Sequence, residues 1–209
     1  MRNKFGVFFM ILGTVFLLGA VSLLIMNQQE DRKAGEMSQE VMMEMQKEIQ
    51  DIQAAETPEL PDLLENTPVE FLTEEDLIMT ERVIKGYPYI GYLSIPDLML
   101  QLPVMSDWTN HRLQIAPRRY TGTLRGRDLV LMAHSFASHF GKLSSLSEGA
   151  EIQFTDMDGN IWYYEIVVMD VLDAYAVEEM TAGEYDLTLF TCTKDRQHRV
   201  TVRCNMIEK

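Results

Sequence analysis

Hydrophobic positions follow three different rhythms along the chain. Phe5 to Met26 is an unbroken run of 22 residues without a charged side chain. At about 1.5 Å of rise per residue, a helix of that length crosses a hydrocarbon core of about 30 Å. From Glu36 to Glu56 the sequence is rich in helix formers, and Met37, Val41, Met45, Ile49 and Ile52 recur every three or four residues. That spacing predicts a helix with one apolar stripe. Thr57 to Glu81 holds Pro58, Pro61 and Pro68 among many acids, which predicts an extended linker.

After Gly86 the pattern shortens to that of strands. Tyr89–Ile95 and Leu98–Val104 are apolar runs separated by Pro96-Asp97, a turn signal. Asp128–His134 contains Leu129-Val130-Leu131-Met132-Ala133, the pattern of a buried strand. Glu151–Thr155 and Ile161–Val171 flank Asp156-Met157-Asp158-Gly159-Asn160, and Asp-Gly marks a hairpin. Asp186–Cys192 and His198–Cys204 form a last pair around a five-residue polar loop. Trp108–Ile115 and Ser138–Leu146 read as short helices or turns. Seven strands with little helix predict a closed barrel or a sandwich.

Charge gives these segments an orientation. Arg2 and Lys4 precede the apolar run, and Glu30 and Asp31 follow it. The positive-inside rule then sets the N-terminus in the cytoplasm and the rest outside. A cleaved signal peptide would have a shorter apolar region, about 7–15 residues, ending in small residues. Leu23-Leu24-Ile25-Met26 is bulky, so an uncleaved anchor is expected. The expected layout is an anchor over 1–26, an acidic stalk and linker over 27–85, and a β domain over 86–209. Residues 27–85 carry 16 acids against 5 bases, and the whole chain has a net charge of −14. An acidic chain without a basic stripe argues against nucleic acid as a partner. The acidic face of the 36–56 helix also disfavours an anionic lipid surface, so a stalk docked loosely on the domain is expected. The chain ends at Lys209, and the absence of an apolar tail there argues against a C-terminal anchor.

The candidate chemistry lies in the final hairpin. A nucleophilic cysteine needs a group that favours its thiolate, and acyl transfer needs a donor for the developing oxyanion. Alternation puts Leu187, Leu189 and Thr191 on one face of the first strand, and Thr188, Phe190 and Cys192 on the other. On the second strand Val200, Val202 and Cys204 share a face, opposite Arg199, Thr201 and Arg203. With the Leu and Val faces inward, Cys192 and Arg199 emerge together. Cys204 becomes a core residue, too far along the hairpin from Cys192 for a disulfide. Four histidines compete as the base: His134 at the end of an apolar strand, His139 in the loop after it, His111 in a polar stretch, and His198. A zinc site from His134, His139 and the cysteines lacks close ligand spacing. The Asp156-x-Asp158-Gly159 run lacks the glycine and glutamate positions of an EF-hand.

Taken together, an anchor, a spacer and a β domain ending in Thr188-Leu189-Phe190-Thr191-Cys192, followed by Arg199, resemble the sortase family of cell-surface transpeptidases. His134 after Leu129–Ala133 matches the family's histidine element. Phe140-Gly141-x-Leu143 and Leu146-x-x-Gly149 resemble the segment that follows it. Gly91-Tyr92-Leu93-x-Ile95-Pro96 and Leu102-Pro103-Val104 resemble the opening strands. The resemblance covers about residues 87–204 and implies an eight-stranded β-barrel. It also implies a cysteine transpeptidase acting on a sorting-signal peptide of the Leu-Pro-x-Thr-Gly type, with Cys192 as nucleophile, His134 as proton carrier and Arg199 as the donor to substrate. Thr191 is a candidate substrate-binding residue. The acceptor would be an amine of a peptidoglycan precursor or a pilin lysine. The chemistry requires no cofactor or metal, although some relatives use calcium allosterically. A peptidase that releases product to water and a non-catalytic binding module remain the alternatives.

Overall fold

The computed structural model describes residues 2–55, 73, 77–107 and 113–209. Most of the Thr57–Glu81 linker, and Trp108 to Arg112 with His111, lie outside the described residues. The chain divides into two compact units, Met1–Lys33 and Ala34–Lys209. Helix α1 extends over Arg2–Ala55 and contributes residues to both.

In the first unit the helix buries none of its apolar window, whose mean hydropathy is 2.6. Phe8, Phe9, Leu17 and Leu24 are each at least 60% exposed. So many bare apolar side chains need an apolar solvent. This segment is a candidate membrane span.

In the second unit α1 is packed, not loosely docked as the sequence led us to expect. Ala34, Ser38, Val41, Met42, Met45 and Ile49 are buried. Val41, Met45 and Ile49 share an apolar cluster with Ile84, Tyr89, Met105, Ala116 and Met157. Burying three such side chains contributes on the order of 5–8 kcal/mol before the entropy of ordering is subtracted. Helical geometry explains where the predicted stripe erred. Met37 lies roughly 80° around the helix from Met45, and is 41% exposed. Ala34 and Ser38 lie within roughly 20° of it and face the barrel, although neither reads as apolar stripe.

The strands are β1 Arg82–Ile84, β2 Tyr87–Ile95, β3 Leu100–Met105, β4 Arg118–Thr121, β5 Leu129–Met132, β6 Glu151–Asp156, β7 Ile161–Asp173, β8 Leu187–Cys192 and β9 His198–Met206. A one-turn helix, α2 (Val177–Met180), precedes β8. Neighbours run β2-β3-β4-β5-β8-β9-β7-β6, and β6 pairs back onto β2 to close an eight-stranded barrel. β1 adds to the start of β2 outside this ring. Closure requires Gly91, which has φ +144 beside a bulge in β2. A Cβ there would lie 2.1 Å from the Thr155 carbonyl oxygen, so only glycine lets β6 approach.

Two strands were not legible in the sequence. β1 is three residues long, and β4 reads Arg-Arg-Tyr-Thr, with no apolar alternation. Arg118 is nonetheless fully buried, its Nη2 donating to Asp107 at 2.6 Å. The start of β3 is also later than expected. Pro96–Leu98 forms a 3-10 turn ending at left-handed Met99, so Leu98 is not in the strand. The barrel interior is filled by Leu93, Val104, Leu131, Phe154, Leu189 and Val202, among others.

Candidate functional site

Strand β8 lies between β5 and β9, and the site is built where these three strands end. β8 and β9 are antiparallel, from Leu187↔Cys204 to Cys192↔Arg199. The last pair therefore holds a thiol and a guanidinium on neighbouring strand ends, as alternation predicted. Cys192 and Arg199 are both half-buried. The outer face of β8 is not polar along its whole length. Phe190 packs there with Val130 and Met180, and its ring meets Tyr120 edge-on at 5.4 Å.

β5 and β8 are parallel, in register from Leu129↔Leu187 to Met132↔Phe190. Two further hydrogen bonds carry the pairing past the strand end. The Ala133 N–H donates to the Phe190 carbonyl at 3.3 Å, and the Thr191 hydroxyl donates to the Ala133 carbonyl at 2.8 Å. His134 follows Ala133 and Cys192 follows Thr191, so the bonded pair brings both residues to the same rim. Thr191 is only 3% exposed. Its side chain is a brace between the two strand ends.

The turn after β5 is tightly bonded. The Phe136 carbonyl accepts from the N–H groups of both His139 and Gly141, at 3.0 and 2.9 Å. A Cβ on Gly141 would lie 2.5 Å from the Ser135 carbonyl oxygen, so the turn needs glycine there. Phe140 anchors it in the barrel core. His139 is fully buried, with Nε2 at 3.3 Å from the Ser38 hydroxyl on α1. His198 is exposed on β9.

The three arginines after Cys192 have different surroundings. Arg203 is committed to the fold: Nε donates to Asp170 at 3.0 Å, Nη2 to the Glu179 carbonyl at 2.9 Å, and its guanidinium lies 5.0 Å from the Tyr185 ring centre. Arg196 sits exposed at φ +62 in a bonded turn. There the Thr193 N–H donates to the His198 carbonyl at 3.0 Å and the Gln197 N–H to Asp195 at 3.0 Å. The Thr193 hydroxyl and that N–H hold the Asp195 carboxyl below its ordinary range. Arg199 donates through Nη1 to the His198 carbonyl at 3.0 Å.

Cys204 lies at the far end of the same hairpin, fully buried, and burial pushes its thiol up. Both cysteines are free. Among the described residues no cluster of histidine, cysteine and carboxylate side chains could hold a metal. The Asp156 carboxylate instead caps its own hairpin, accepting from the Asp158, Asn160 and Trp162 N–H groups. A pocket lined by Met79, Leu124, Asp156 and Trp162 contains none of the candidate residues.

A closed barrel whose central strand ends in a half-buried cysteine, opposite an arginine, defines a narrow class of proteins. Residues 93–207 match the sortase domain, and the chain belongs to the sortase family. No curated protein matches it. Among solved structures it is similar to sortase C1 from Streptococcus suis, at 28% identity and a TM-score of 0.52, covering 58% of this chain and 74% of that one. It shares its fold with Streptococcus pneumoniae sortase C, at 20% identity and a TM-score of 0.53, covering 87% and 96%. The same holds for a Clostridium perfringens sortase C solved with the C-terminal cell wall sorting motif, at 19% identity and a TM-score of 0.53, covering 81% and 88%.

Proposed function

We propose that the chain is a membrane-anchored transpeptidase that cleaves a sorting-signal peptide of the Leu-Pro-x-Thr-Gly type and passes the acyl group to an amine. The observation that carries this reading is the meeting of β5, β8 and β9 at one rim, with Cys192 paired to Arg199 and the residue before Cys192 bonded to the residue before His134. The Cys192 thiolate attacks the scissile carbonyl carbon, and Arg199 donates to the oxygen as it gains charge. The carbon–nitrogen bond breaks, and His134 as imidazolium gives its proton to the leaving amine. An incoming amine then attacks the thioester, loses its proton to His134, and expels the thiolate. The acceptor is a peptidoglycan-precursor amine or a pilin lysine. Support for the peptide class comes from the C. perfringens sortase C solved with the C-terminal cell wall sorting motif.

Mass spectrometry of the chain incubated with a sorting-peptide library tests this. A thioacyl adduct on Cys192, discharged faster when an amine is added, is the expected result. Discharge only to water, whatever amine is present, would make the chain a hydrolase.

For the anchor, the proposed topology has the N-terminus in the cytoplasm and residues 27–209 outside, on the strength of Arg2 and Lys4 before the apolar run. External protease on intact protoplasts should digest the barrel. Its protection there would reverse the orientation.

A further inference from the structure

The buried contact between α1 and the turn after β5 is not used by the chemistry proposed above, and it leads directly to His134. The Ser38 hydroxyl has one proton, which goes to the Ile115 carbonyl at 2.9 Å. With that proton directed at the Ile115 carbonyl, the hydroxyl oxygen is placed to accept from His139 Nε2, 3.3 Å away. The His139 ring lies 5.7 Å from the Phe136 ring, and the Phe136 ring lies 4.9 Å from the His134 ring. Three rings thus form a column from the helix to the rim. The helix backbone also comes close to the turn: a Cβ on Gly35 would lie 3.2 Å from the Ser138 Cβ. β5 ends at Met132, so the ring of His134 is set by this turn as well as by the ladder.

We propose that α1 is a positioning element for the acid–base histidine, acting through Ser38, His139 and Phe136 on His134. The proposal rests on His134 having that role. An imidazole works only within hydrogen-bond reach of its partner, and a displacement of about 1 Å can cost about a hundredfold in rate. A helix that buries Ser38 and packs its backbone at Gly35 against the turn restrains the column from the side opposite the core.

The test uses the full-length chain in detergent, with Ser38→Ala, Gly35→Leu, His139→Ala, His139→Gln and the control Ile49→Ala. Ile49 docks on the same barrel face about 16 Å further along α1. Ser38→Ala and Gly35→Leu are expected to lower kcat about tenfold with KM within about twofold. His139→Gln, which keeps an N–H for Ser38, should retain most of the turnover that His139→Ala loses. Ile49→Ala should lower Tm and leave kcat unchanged. A second readout is independent of turnover: the ring carbon resonances of His134, assigned by their loss in His134→Ala, should move in Ser38→Ala and not in Ile49→Ala. Wild-type kcat and unmoved His134 signals in both Ser38→Ala and Gly35→Leu would overturn the proposal. So would an Ile49→Ala defect in kcat as large as that of Ser38→Ala. If the wild-type chain turns over no sorting peptide while Ser38→Ala still moves the His134 signals, the positioning stands and the proposed function falls.

Discussion

The two ends of the β8–β9 hairpin carry the same residue type in opposite settings. At one end Cys192 is half-buried, pairs with Arg199 and closes a strand that the hydrogen-bonded Thr193–Gln197 turn follows. At the other Cys204 is fully buried opposite Leu187, and burial pushes its thiol up. Their neighbouring arginines divide in the same way. Arg203 is fixed by Asp170, the Glu179 carbonyl and Tyr185, whereas Arg199 reaches the rim. Position along one hairpin, not residue type, separates a candidate nucleophile from a packing residue. Depth sets both the dielectric and the partners available.

The sharpest way to break this comparison is to exchange the cysteines' fates. Cys192→Ala is expected to lower peptide cleavage by a factor on the order of 10⁴–10⁶, and Cys204→Ala to keep most of it. Loss of cleavage in a folded Cys204→Ala protein would reverse the two ends.

The arginines give the next largest contrast. A guanidinium offers a planar fork that an ammonium cannot reproduce. Arg199→Lys should cost about 3–4 kcal/mol of transition-state stabilisation, a hundredfold to a thousandfold in kcat. Arg203→Lys should keep its kcat while losing about 1–3 kcal/mol of stability, because an ammonium lacks the planar fork that reaches Asp170 through Nε and the Glu179 carbonyl through Nη2. Steady-state kinetics with urea unfolding of both variants separates the roles. A kinetic defect at Arg203 with Arg199 silent would move the donor inward.

Alkaline pH tests the depth of Cys204. Its thiol is protonated in the folded chain well above the unfolded value of about 8.5, so the folded state binds more protons there. The stabilisation is complete below that value and is lost as pH rises, by about 1.4 kcal/mol per pH unit. Tyr89 and Tyr164, also pushed up by burial, add to the loss from about pH 10. Between these two thresholds the slope should flatten in Cys204→Ala. An unchanged slope would show that Cys204 ionises as freely folded as unfolded.

The smallest effect expected is at the turn. Asp195 is held below its ordinary range, so its contribution is present above about pH 3.9 and is lost as pH falls through its lower folded value. Asp195→Asn should remove that acid dependence, followed as the urea midpoint from pH 5 to 2, and leave kcat near wild type. A large kcat loss would mean that the turn, and not only the strand ends, shapes the rim.

Much of this is legible in the sequence. The alternation Leu187-x-Leu189 and Val200-x-Val202 set the inward faces, so a shared outward face for Cys192 and Arg199 followed from residues close in sequence, while their direct pairing, with six residues between them, belongs to the folded register. Other features were hidden because polar residues make them. β4 is built on Arg118, whose ion pair with Asp107 helps to hold it inside. The Thr191 hydroxyl braces Ala133, 58 residues away. Ser38 and His139 are 101 residues apart, and no periodicity links them.

The sequence by itself determined the apolar span, the strand rhythm and the shared face of the thiol and the guanidinium. Each depends on local spacing, which side-chain direction along a helix or strand converts into a face. Only the tertiary structure decided that β5 lies parallel to β8, that Ala133 meets Thr191, and that α1 presses on the turn after His134. Those contacts join segments through long loops. Their register is set by which buried surfaces close on one another, and that choice is made by the whole barrel at once.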